Sequence, residues 1–195
     1  MCIYTHIGHE MKYIETLLKS KKTVFTYDDI RFFFQITNRN TLKSLLERMI
    51  QSGVLQRLAN GIFALPHYDQ FEFATLLKKN SYISFETVLK QKGIIFQDYG
   101  NTLFLASDRS EKKSAFWTLF SYHKLRNDLL AYPLWILQTW TYAIATAERA
   151  VCDRLYLSPN YYFDNIEPLD KEKLLRIAQL YNQRVVLSVK KLINA

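Results

Sequence analysis

Apolar residues recur at helical spacing from Glu10 to Lys22, where Met11, Ile14, Leu17 and Leu18 share one side and lysines gather toward the C-terminal end, so a first helix is predicted there. Thr26-Tyr27-Asp28-Asp29 reads as a capping box with Asp in the Glu position, and it opens a short second helix through Ile30, Phe32, Phe33 and Phe34. Three consecutive phenylalanines cannot all face one side of a helix, so at least one is expected to contact the second domain or a partner. A polar turn, Thr37-Asn38-Arg39-Asn40, leads into a third helix whose apolar positions Leu42, Leu45, Leu46, Met49 and Ile50 make a single stripe. Gly53 follows where a left-handed cap is expected. Between Val54 and Leu65, two β-prone runs flank Asn60-Gly61, a strong hairpin signal.

Helix, helix, turn, helix, hairpin is the order of a winged helix-turn-helix. Pro66 stops the last strand and marks a boundary, which gives residues 1–66 as a DNA-binding domain and residues 67–195 as a second domain. The second domain's pattern is mixed. It shows a helix at Phe71 to Leu77, a short helix capped by Ser84 and ended by Gly93, a hairpin of Ile94–Tyr99 and Thr102–Ala106 around Gly100-Asn101, and a strand at Phe116 to Tyr122. Leu129 to Tyr142 has no clear period. Thr146 opens a helix limited by Pro159, and a last helix spans Asp170 to about Ile193. The fold class expected is α+β: a winged helix-turn-helix followed by a mixed α/β domain.

A reading helix must place cationic and hydrogen-bonding side chains against base edges while its other face packs on the domain. The third helix meets both demands. Arg39 suits a guanine, Asn38 or Asn40 an adenine, and Thr41, Lys43, Ser44 and Arg48 suit phosphates and edges. In the hairpin, Arg57 and Asn60 are wing candidates, and Lys19 to Lys22 at the end of the first helix is a further phosphate candidate. The alternative for this domain is a winged helix that binds protein through the same solvated face.

Charge strengthens the DNA reading. Lys and Arg number 26 against 18 Asp and Glu, a formal net charge of +8, and the first 66 positions hold nine basic and five acidic residues, an excess about twice as dense as in the remainder. Cys2 and Cys152 are too few for a disulfide framework and read as free thiols in a reducing compartment, Cys2 in a segment expected to be mobile. The chain shows neither a long apolar run nor the regions of a signal peptide, so a cytoplasmic location with no membrane partner is expected.

Enzyme chemistry finds little support. The Walker, dinucleotide, HExxH and CxxC motifs are missing. His6 and His9 lie before the first helix without a third ligand, and His67 and His123 are scattered, so neither a metal nor a cofactor is expected. Cys152 reads as a buried, inert thiol. Glu148 and Asp153 diverge around their helix, and Glu148 is expected to favour the helix N-terminus or to meet Arg149 or Arg154.

Two separated stretches, Phe25 to Ala64 and Ile144 to Leu157, resemble the AbiEi antitoxins of bacterial type IV toxin–antitoxin systems. In that family a winged helix is followed by a Ser-Tyr-Ile-Ser segment, matched here by Ser81-Tyr82-Ile83-Ser84, and by an alanine-rich helix patterned A-x-x-E-K-A-x-x-D-x-x-Y. Ala145, Glu148, Arg149, Ala150, Asp153 and Tyr156 match that helix, with Arg149 in place of the commoner Lys. The wing departs from the pattern, with Ala59-Asn60 before Gly61 and Phe63 for Tyr. The resemblance implies a non-enzymatic transcriptional autorepressor that binds inverted repeats in its own promoter. It also implies that the C-terminal domain counteracts a nucleotidyltransferase-like toxin without a tight complex. A one-component regulator whose second domain binds a ligand or protein partner is the competing reading.

Overall fold

A computed structural model describes the backbone of residues 3–194 and the side chains of residues 11–194. Cys2 lies outside the described residues. The chain is mixed α+β and divides into two compact units between Phe73 and Ala74, past Pro66.

The first unit runs α1 (Ile3–Lys19), β1 (Val24–Thr26), α2 (Tyr27–Phe34), α3 (Arg39–Gln51), β2 (Gln56–Ala59) and β3 (Ile62–Ala64). α1 begins seven residues before the expected Glu10, so His6 and His9 lie on it rather than ahead of it. Thr26 closes a full capping box with Asp29 at the start of α2. Asn38 caps α3, and Gly53 takes a positive φ of 75° just past its end. The strands form an antiparallel sheet of order β1-β3-β2, with Phe25 opposite Phe63 and the Asn60-Gly61 turn joining β2 to β3. Leu17, Phe25, Ile30, Leu42, Leu45 and Met49 meet beneath that sheet as one buried cluster. Of the three phenylalanines, Phe34 is buried, Phe33 half-buried and Phe32 turned outward. The unit extends past Pro66 because Glu72 Oε2 accepts from both the N–H and the hydroxyl of Thr23 at 2.8 Å, and Phe73 is buried.

After α4 (Gln70–Leu77), the second unit contains β4 (Tyr82–Ile83), α5 (Phe85–Gln91), β5 (Thr102–Ser107), β6 (Glu111–Ala115), β7 (Thr118–Lys124), α6 (Asn127–Ala131), β8 (Ile136–Gln138), β9 (Ala143–Ala145), α7 (Ala147–Leu157), α8 (Lys171–Ala178) and α9 (Gln183–Ile193). Its strands form one sheet of order β6-β7-β5-β4-β9-β8. The hairpin expected around Gly100-Asn101 is absent. Ile94 to Tyr99 is no strand, because Ile94 O accepts from Asp164 and Asn165 and the N–H of Phe96 donates to the Asp164 carboxylate. β5 pairs instead with β7, in parallel, and with β4. The strand expected from Phe116 starts at Thr118, since Phe116 and Trp117 form the turn after β6. The single helix expected from Asp170 breaks at Leu180–Tyr181, and Asn182 caps a new one by accepting from the N–H of Val185.

Candidate functional site

α3 sorts its side chains by period. Leu42, Leu45, Leu46 and Met49 are buried, while Asn40, Lys43 and Ser44 on the other face, and Arg39, Thr41 and Arg48 at its margins, are exposed. Lys43 lies 4.0 Å from Glu47, an exposed i,i+4 pair worth little against a phosphate. Asn38 is committed differently from the expectation: its Oδ1 accepts from the N–H groups of Asn40 at 2.9 Å and Thr41 at 3.1 Å. That oxygen is spent on capping, so Asn38 lacks the free carboxamide edge that the expected bidentate adenine contact needs.

The start of α3 is tied to the start of α2 and to the hairpin turn. The N–H of Tyr27 donates to Gly61 O at 2.9 Å, and its hydroxyl donates to Arg39 O at 3.5 Å. Between them runs a groove of about 570 Å³ lined by Tyr27, Asp28, Arg31, Thr37, Arg39 and Asn60. The fold thus brings Arg39 and Asn60 together from distant sequence positions. It adds Arg31, an exposed residue that the sequence reading passed over; its signal was a cation directly after the buried Ile30 in the short helix α2. Arg57 on β2 is exposed, with its guanidinium 5.5 Å from the centre of the Phe63 ring, so Phe63 supports a cation on the hairpin although no basic residue precedes Gly61. Of the lysines at the end of α1, Lys22 is bound to Asp29 at 2.9 Å and half-buried, which removes it as a free phosphate contact. Burial alone would raise the Asp29 pKa, but hydrogen bonds from Lys22 and Thr26 hold it below the ordinary carboxylate value.

The motif residues of α7 lie inside the second unit. Arg149 and Asp153 are fully buried and Glu148 nearly so. Asp153 accepts from Tyr82 Oη at 2.9 Å, Ser84 Oγ at 2.6 Å and Tyr181 Oη at 2.6 Å, and Arg149 Nε lies 3.4 Å away. Arg149 Nη2 donates to Leu129 O at 2.7 Å and to Tyr82 Oη at 3.2 Å. Burial pushes the pKa of Asp153 above the ordinary carboxylate value even though Arg149 and three hydroxyls pull it down. Ser84, expected to cap α5, spends its hydroxyl on this cluster and makes no side-chain cap. Glu148 meets neither Arg149 nor Arg154 but Lys173 at 2.8 Å on α8, and Arg154 pairs with Glu86 at 3.3 Å. These α7 residues bind β4, α8 and α9 into one body and present no polar surface. Cys152 is buried, and burial pushes its thiol pKa well up. Among the described residues there is no group of three or more His, Cys, Asp or Glu that could hold a metal, and no helix is long and apolar enough to cross a membrane.

No family model matches the chain, and no curated protein matches it. The solved structure of the RV2827C protein from Mycobacterium tuberculosis is similar, with a TM-score of 0.59 at 10% identity over 96% of this chain and 76% of that one. At that identity the likeness is one of fold.

Proposed function

We propose that the first unit is a winged helix-turn-helix that binds double-stranded DNA, with α3 in the major groove and the β2–β3 hairpin as the wing. The observation that carries this reading is the solvent face of α3, where Arg39, Asn40, Thr41, Lys43, Ser44 and Arg48 stand exposed over a buried apolar stripe and Arg39 shares a groove with the hairpin turn. In the wider reading, the protein is an autorepressor of its own promoter and an antitoxin acting against a nucleotidyltransferase-like toxin. The antitoxin half draws on the resemblance of Ser81 to Ser84 and of the α7 motif, not on exposed chemistry, because Glu148, Arg149 and Asp153 are interior. Any surface that serves antitoxicity is therefore made of other residues, which the α7 cluster holds in place.

The test is binding of the full chain to its own promoter duplex across a salt series. Affinity for the promoter exceeds that for an unrelated duplex and falls linearly on a log–log plot against salt, as phosphate contacts by Lys and Arg release counterions. Equal, weak binding to both duplexes contradicts the operator reading. Co-expression with the neighbouring reading frame tests the antitoxin half: the protein rescues growth, and Arg39→Ala still rescues while losing repression. Failure of the parent protein to rescue contradicts it.

A further inference from the structure

We infer that the second unit carries a binding cleft for an uncharged, flat, hydrogen-bonding heterocycle of the nucleobase class. A cleft of about 490 Å³ opens in this unit, within the size range of small-molecule sites. Its floor follows from strand register. Ile83 pairs with Ile144, so Tyr82 and Ala143 share the other face of the sheet, and Gln138 of the edge strand lies opposite Ala143 with Ile136 two residues before it. Ala143 is the smallest side chain of that floor and leaves its depth. Leu130 and Pro133 make the wall, which gives an apolar slot. Behind it, the Arg149 Nη2 bonds to Leu129 O and Tyr82 Oη fix wall and floor to α7, so the slot is held open before any ligand arrives.

Around this slot stand three carboxamides, Asn80, Asn127 and Gln138. Among the described residues none of them has a side-chain hydrogen bond within the protein. Each offers a donor and an acceptor side by side, the pattern that pairs with the amino and ring-nitrogen edge of a base. Asp108 is the one charged residue lining the cleft, and Lys78 already meets it at 3.1 Å. A phosphate entering the cleft would therefore find no cation there, which selects a base or nucleoside over a nucleotide.

The inference goes beyond DNA binding and is tested without DNA, on the full chain, by calorimetric titration with adenosine, guanosine, cytidine and uridine, with AMP as the anionic comparison. At least one nucleoside binds, and AMP binds no tighter than adenosine. Ala143→Leu, which fills the floor, weakens the bound nucleoside about tenfold or more, and the exposed-rim variants Asn127→Ala and Gln138→Ala weaken it several-fold while melting like the parent. The inference is overturned if none of the four binds at millimolar concentration, if AMP binds tighter than adenosine, or if the rim variants bind as the parent does. Promoter binding measured on the same samples reports separately on the DNA reading.

Discussion

Arg149 and Asp153 show how a buried charge pair is retained by its neighbours: Asp153 accepts from three hydroxyls and Arg149 Nη2 donates twice, while Arg149 Nε and Nη1 find no hydrogen-bond acceptor among the described residues. Removing one partner strands the other in a low dielectric, a loss of about 3–5 kcal/mol, whereas a well-packed apolar replacement of the whole network need not cost stability. Asp153→Ala is therefore expected to lower the free energy of unfolding measured in urea by that amount or to prevent folding, and Asp153→Asn, whose one carbonyl oxygen can still accept from Tyr82 and Ser84 but not also from Tyr181, to cost less. Equal losses in the two variants would show that the carboxylate charge carries the whole effect. A second residue-scale feature is the turn between β6 and β7. Phe116 and Trp117 both take positive φ, 46° and 66°, and Trp117 is 95% exposed. Side chains of this size in the left-handed region cost on the order of 1–3 kcal/mol each, and a two-residue hairpin turn favours Asn-Gly at these positions. The double variant Phe116→Asn/Trp117→Gly should gain about 1 kcal/mol or more of stability in urea unfolding; an unchanged or lowered midpoint would show that the aromatic pair is not strained.

At the scale of elements, the sequence was legible wherever the determinants were local. The Thr26–Asp29 box, the Asn60-Gly61 turn and the α3 stripe each act within a few residues, and each lies where the pattern put it. Legibility failed where pairing was distant. β5 takes β7 as its parallel neighbour while β6 folds to the outer edge, and no residue spacing near Thr102 encodes that choice. The break between α8 and α9 was hidden because Ile177, Ala178, Val185 and Val189 keep one period across it, and the capping signal of Asn182 sits inside that run. The candidate interface was legible as a list of exposed cations on α3, but not as a groove. Arg31 joins Arg39 through the tertiary tie of the Tyr27 hydroxyl to Arg39 O, and the role of Asn38 as a cap depends on where α3 begins.

The β5–β7 pair also has a pH consequence. His123 on β7 stacks on Phe104 and packs edge-on against Phe85; burial, then Arg154 and Lys112, hold its pKa below the ordinary histidine value. The unfolded chain protonates this histidine near pH 6.5, before the folded one does, so acid favours unfolding in that window. Stability should rise as pH increases toward about 6.5 and then gain nothing more from this group. In His123→Gln that component of the rise disappears from urea titrations run across the same pH range; an unchanged pH slope would contradict the assignment.

For the molecule as a whole, the excess of 26 basic over 18 acidic residues sets a general attraction to polyanions, and it gives no preference between sequences. In the proposed reading, preference comes from α3. Arg39 stands at the N-terminal end of that helix and Lys43 one turn on, both exposed and neither in the core cluster, so their loss should change binding without changing the fold. Fluorescence anisotropy of the full-length parent, Arg39→Ala and Lys43→Ala on the promoter duplex and on single-base variants of it tests this most directly. The account predicts that Arg39→Ala loses about 1–3 kcal/mol and relaxes discrimination at one base pair, while Lys43→Ala weakens binding to every duplex alike and flattens the salt slope. If both variants melt like the parent and bind the promoter as tightly, with discrimination intact, α3 does not read DNA and the account is contradicted.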